Sequence, residues 1–162
     1  MTRLPRLRDK EILVVDDEPD VLDTLVDLLA DCNVMTAGSF EEAKQMLVSR
    51  PFDIVILDIM GVSGYDLLQI ATQNNLTAVM LTAHALSPEN VSKSFKEGAA
   101  YYIPKEEMVN IATFLEDILD AQQKGQNTWG RWFERLGTYC ERHFGPNWQK
   151  GDQIFWDKFP FH

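Results

Sequence analysis

The stretch "EILVVDDEPD", residues 11–20, decides the fold. Four apolar residues, Ile12-Leu13-Val14-Val15, run without interruption and stop at Asp16, Asp17 and Glu18. A short continuous aliphatic run is the pattern of a strand covered on both faces; a half-exposed strand would alternate. Its abrupt end in carboxylates needs a separate reason. Two like charges about 4 Å apart cost roughly 4 kcal/mol at an effective dielectric of ~20.

Working outward, four more short apolar runs follow: Val34–Thr36, Ile54–Leu57, Ala78–Leu81 and Tyr101–Ile103. Amphipathic segments separate them. Val21, Leu22, Leu25, Leu28 and Leu29 share one face of a helix, with Asp20, Asp23, Asp27 and Asp31 elsewhere and Pro19 in the first turn. Ser39 followed by Glu42 reads as a capping box for a helix over 40–49. Tyr65–Ala71 and Val91–Lys96 predict two more, the latter opened by Ser87-Pro88 and closed by Gly98. Ile111, Phe114, Leu115, Ile118 and Leu119 predict a fifth. Strands alternating with helices over about 120 residues imply an α/β fold, a parallel sheet with helices on both faces. Ligands of such sheets bind outside the carboxyl ends of the strands.

The polar residues at those ends converge. The first strand ends at Asp16-Asp17, the third at Asp58, the fourth at Thr82-Ala83, and Pro104-Lys105 follows the fifth. Taken singly, Asp-Asp reads as a turn or helix cap, Thr82 as a β-former and Lys105 as a solvated charge. Together at one edge, they suit a hard divalent cation such as Mg²⁺, which takes one or two carboxylates, waters and a phosphoryl oxygen. A carboxylate beside the cation and a Lys can attack phosphorus, and Thr can donate a hydrogen bond to the product. Glu18 is expected to favour the helix N-terminus instead, and Asp20 to belong to the helix's acidic face.

Composition narrows the partners. The formal net charge of −10 argues against nucleic acid or an anionic membrane. No apolar stretch is long enough to span a bilayer, so no membrane insertion is expected. The basic start MTRLPRLR has no long apolar segment behind it and does not read as a secretory signal. Cys32 and Cys140 fit no paired framework and read as reduced thiols of a cytoplasmic protein.

In "ILVVDDEPD", "FDIVILDIM", "VMLTAH" and "GAAYYIPK", over roughly residues 10–122, the sequence resembles the receiver domain of two-component response regulators. The resemblance implies a flavodoxin-like, doubly wound five-stranded sheet of order 2-1-3-4-5. It implies Asp58 as phosphoacceptor from the phosphohistidine of a sensor histidine kinase or phosphotransfer protein. Mg²⁺ would be held by Asp16, Asp17, Asp58 and the backbone carbonyl of Met60. Thr82 and Lys105 would contact the phosphoryl group, and Tyr102 falls at the family's aromatic switch position. Met60 and His84 would sit beside the phosphate and bear on its lifetime. The implied output is a population shift of the surface formed by helix four, strand five and helix five, read by a downstream protein or a homodimer. Two departures stand out. Glu106 follows Lys105 where most members have a proline after a cis bond; that bond costs about 3 kcal/mol without proline, so trans is expected here. The loop after Asp58, Ile-Met-Gly-Val-Ser-Gly, lacks the usual Pro and is about two residues short.

The expected division is a receiver at 1–122 and an extension at 123–162. The break falls at Lys124-Gly125-Gln126-Asn127. All four tryptophans, Trp129, Trp132, Trp148 and Trp156, lie beyond it. Thr128 is expected to cap a helix over about 128–144, with Trp129, Trp132, Phe133, Leu136, Cys140 and Phe144 near one face. Ile154-Phe155-Trp156 and Phe159-Pro160-Phe161 form a second aromatic patch. The extension either packs on the receiver's own surface or serves as a docking or dimerisation element. Besides the phosphorylated switch, two functions stay open: an unphosphorylated receiver-like adaptor, and a metal-dependent phosphatase. Against the phosphatase, Met60 stands where a second acid would be needed.

Overall fold

A computed structural model describes residues 6–83, 87–146 and 148. His84, Trp156 and the stretches 154–156 and 159–161 lie outside the described residues. Five strands form one sheet: β1 (Glu11–Val15), β2 (Asn33–Ala37), β3 (Ile54–Asp58), β4 (Thr77–Thr82) and β5 (Tyr101–Pro104). All neighbouring pairs are parallel, in the order β2-β1-β3-β4-β5. This is the order expected from the sequence. The order reverses between β1 and β3, so their carboxyl ends flank the crevice where such sheets bind ligands.

The helices are α1 (Pro19–Leu28), α2 (Phe40–Ser49), α3 (Gly64–Gln73), α4 (Pro88–Lys96), α5 (Ile111–Gln123) and α6 (Thr128–Phe144). A six-residue 3-10 helix, Lys105–Asn110, links β5 to α5. Ile12–Val15 and all of β3 are buried, as a strand covered on both faces requires. Helix α1 packs against α5, and α2 against α3. Ser39 caps α2 by accepting from the Glu42 N–H, and Ser87 caps α4 by accepting from the Asn90 N–H. The α6 cap differs from expectation. Asn127 accepts from the Trp129 N–H at 2.8 Å, and Thr128 is the first helical residue. An Asn two residues ahead places its oxygen at the first free amide as well as a Thr could.

Helix α6 is docked on α4, β5 and α5. The Trp129 indole N–H donates to the Ala99 carbonyl at 2.8 Å, and the Trp132 indole N–H to the Tyr102 carbonyl at 2.7 Å. Trp132 is fully buried, edge-on to Phe95 of α4. Arg135 forms a two-bond bridge to Asp117 of α5, at 2.8 and 3.2 Å, and Arg131 bonds Asp120 at 2.7 Å. The aromatic face is thus spent largely within the chain.

Candidate functional site

Each predicted residue arrives at the site by a short local route. Asp16 leaves the end of β1 fully buried, and its Oδ1 accepts the Glu18 N–H at 2.9 Å. That turn throws Asp17 and Glu18 outward. Asp58 is the last residue of β3 and 5 % exposed; its Oδ2 accepts the Gly61 N–H at 3.1 Å. Thr82 ends β4 and is buried. Lys105 opens the 3-10 helix and reaches back across the edge. Its Nζ lies 2.9 Å from Asp16 Oδ2, 3.0 Å from Glu18 Oε1 and 3.6 Å from Asp58 Oδ1.

Asp17, Glu18, Asp58, Met60, Gly61 and Lys105 line one cleft. Thr82, with Ala83, Pro104, Lys105, Glu106 and Tyr139, lines a second groove, and Lys105 is common to both. Tyr102 is buried, its hydroxyl directed to the Ser87 backbone. Among the described residues no peptide bond is cis, so Lys105–Glu106 is trans and the ammonium still reaches the carboxylates.

The path of the loop after Asp58 explains two glycines. A Cβ on Gly61 would collide with the Asp17 carboxylate, and one on Gly64 with the Asp58 carbonyl. The backbone here runs against the acids, and only a missing side chain leaves room. Ser63, between them, takes a left-handed conformation at φ 55° with no side-chain cap bond.

Glu18 stands at the N-terminus of α1, as expected, and has a second role that the sequence reading missed. It is the N-cap residue of α1 by backbone position, but its side chain makes no cap bond. The carboxylate turns to Lys105 instead. The direction of a side chain at a strand–helix junction is not written in local spacing, and no signal in the sequence distinguished the two roles.

Among the described residues the charges are unbalanced: four carboxylates face one ammonium. Burial pushes the Asp16 carboxyl above the usual range, against the opposing effects of the Glu18 amide and Lys105. For Lys105, partial burial works against the charge. Its contacts with Asp16 and Glu18 outweigh that and raise its pKa. Asp16 Oδ2 is close to the ammonium but accepts no well-aligned hydrogen bond from it. Carboxylate oxygens of Asp16, Asp17 and Glu18 lie within 4.8 Å of one another. A buried, under-satisfied carboxylate oxygen among clustered acids fits a hard divalent cation with oxygen ligands. Among the described residues, no helix is long and apolar enough to cross a membrane.

Comparisons with known proteins agree on one family. The family profile for the response regulator receiver domain matches residues 12–116. The two-component response regulator ARR18 of Arabidopsis thaliana is 33% identical over 100 residues, covering 58% of this chain and 16% of that protein. The transcriptional regulatory protein YvrH of Bacillus subtilis is 30% identical over 105 residues, covering 61% of this chain and 44% of that protein. The chain thus spans less than half the length of these relatives. Among solved structures, a CheY-like response regulator receiver domain protein from Methanospirillum hungatei superposes with a TM-score of 0.65 at 27% identity. That match covers 72% of this chain and 98% of the other. A receiver domain protein from Clostridium thermocellum gives 0.62 at 27%, covering 71% and 97%. The profile match ends inside α5, so α6 lies beyond it.

Proposed function

We propose, from the premise that the chain belongs to the response regulator receiver domain family, that it is a switch phosphorylated on Asp58. The observation that carries this reading is the Lys105 ammonium, 3.6 Å from Asp58 Oδ1 in a cleft shared with Asp17. A carboxylate oxygen of Asp58 attacks the phosphorus of a phosphohistidine on a sensor histidine kinase or phosphotransfer protein. The P–N bond breaks and the imidazole leaves with the electron pair, giving an acyl phosphate. Lys105 offsets charge on the phosphoryl oxygens, and the Thr82 hydroxyl donates to one of them.

Asp16, Asp17, Asp58 and the Met60 carbonyl would hold Mg²⁺, which would supply further charge neutralisation at phosphorus. Gly61 serves by leaving space for the Asp17 carboxylate. Thr82 and Tyr102 carry the change of state away from the site, and the output is contact with another protein. The chain is a phosphoacceptor with at most slow self-dephosphorylation, working in the cytoplasm, rather than a turnover enzyme.

The test is incubation with acetyl phosphate or beryllofluoride, with and without Mg²⁺. Wild type should take up the group only with Mg²⁺, and Asp58→Asn should not. Equal binding by Asp58→Asn overturns the site assignment. No Mg²⁺-dependent uptake by wild type would make the chain an unphosphorylated adaptor.

A further inference from the structure

The two halves of α6 are held very differently. Residues 129–136 carry two buried indole hydrogen bonds and two Arg–Asp bridges. Residues 139–144 are held by packing of Tyr139 and Cys140, without bonds of that kind to the sheet or to α5 among the described residues. The Tyr139 side chain is 8 % exposed, yet its hydroxyl is buried with no hydrogen-bond partner among the described residues. His143 stacks on the Tyr139 ring and sets its Nε2 3.1 Å from Glu106 Oε1. That bridge is open to solvent on both sides and contributes little.

This weaker half is the part that meets the site. Tyr139 shares its groove with Thr82, Ala83, Pro104, Lys105 and Glu106. Lys105 and Glu106 are the first two residues of a 3-10 helix, a poorly bonded element. The Lys105 ammonium is divided among Asp16, Glu18 and Asp58. New negative charge on Asp58 draws it away from Glu18. Glu106, next in the chain, and the groove wall beneath Tyr139 are the neighbours such a shift would reach first.

Resting on the phosphoacceptor reading of Asp58, we propose that α6 is energetically coupled to the acidic cleft. Occupation of Asp58 by a phosphoryl group loosens residues 139–144 and leaves residues 129–136 docked. The chain would then carry its own response element, built from a segment beyond the family match. Coupling is reciprocal, so docking of the 139–144 turn weakens occupation of the cleft by the same factor.

The test uses the full chain with Mg²⁺ and beryllofluoride. Fluorine NMR reports whether the mimic is bound, and amide hydrogen exchange is read in the same sample. With the mimic bound, exchange at 139–144 should rise about tenfold while 129–136 stays protected. Bound mimic with unchanged exchange at 139–144 overturns the coupling and leaves the phosphoacceptor reading standing. Absence of bound mimic overturns that reading, and the coupling falls with it. Variants give the reciprocal measurement. Tyr139→Ala should tighten mimic binding several-fold, and His143→Ala, which removes the ring stacked on Tyr139, about twofold. Tyr139→Phe, which removes the unpartnered hydroxyl and docks better, should weaken it. Wild-type affinity in His143→Ala and Tyr139→Phe overturns the coupling even if Tyr139→Ala does not fold.

Discussion

Replacing Lys105 with Met keeps the aliphatic stem and removes only the charge, so it isolates what the ammonium does. Its nearest partners are Asp16, fully buried, and Glu18, whose side chain is 55% exposed. The Glu18 contact is worth at most about 1 kcal/mol in solvent. The Asp16 contact is the larger one: leaving one member of a buried pair unpaired costs about 3–5 kcal/mol. Asp16 can relieve part of this by taking up a proton, since burial already favours its neutral form. The net expectation is a loss of about 3 kcal/mol in the absence of divalent cations. The same change should act oppositely on metal binding. An ammonium among the ligands repels a cation, and its removal should raise Mg²⁺ affinity roughly tenfold, about 1.4 kcal/mol at an effective dielectric between protein and water. Both are read from urea unfolding curves of wild type and Lys105→Met, in EDTA and across a Mg²⁺ titration. Millimolar Mg²⁺ should recover most of the stability lost. A loss below about 0.5 kcal/mol, with Mg²⁺ affinity unchanged, would show that Lys105 does not neutralise these acids.

Trp132→Ala should destabilise the fold by about 4 kcal/mol, through the lost ring and the lost indole hydrogen bond to the Tyr102 carbonyl; denaturant unfolding checks this, and a loss under about 1 kcal/mol would mean α6 is not docked on β5. Ser63→Gly should stabilise by about 0.5–1 kcal/mol, because its left-handed backbone at φ 55° earns no cap bond in return; the thermal midpoint should rise. The Cys140 thiol, pushed up by burial from 9.0 to about 12, keeps its proton in the folded chain after the unfolded chain has lost it. Folding therefore binds more protons in that window, and stability falls as pH rises from about 9 towards 12, by up to about 1.4 kcal/mol per pH unit. Cys140→Ala should flatten that part of the stability–pH profile.

The sheet was legible because consecutive aliphatic runs have few alternatives. Ile12–Val15 and Ile54–Leu57 could be little else than strands covered on both sides, and strand ends then pointed to Asp16, Asp17, Asp58, Thr82 and Lys105. Where those five meet is subtler. Lys105 lines two grooves, one shared with Asp17 and Asp58 and one shared with Thr82. The turn of Glu18 toward Lys105 was not legible, because helix-start preference and ion pairing ask for the same residue at the same place. The docking of α6 was half legible. Helical spacing of Trp129, Trp132 and Leu136 announces a buried face, but periodicity says nothing about what buries it. Only the indole bonds to Ala99 and Tyr102, both 30 positions back, answer that.

The order in which α6 and β5 appear along the chain has a consequence for synthesis. Strand β5 and the Phe95 side chain leave the ribosome well before residues 128–144 do. During that interval the surface that will receive Trp129 and Trp132 has no cover. A nascent sheet edge with exposed aromatic groups is a place where chains adhere to one another. The yield of soluble protein should therefore depend on how quickly α6 follows, and slow codons between residues 105 and 128 should lower it without altering a single side chain.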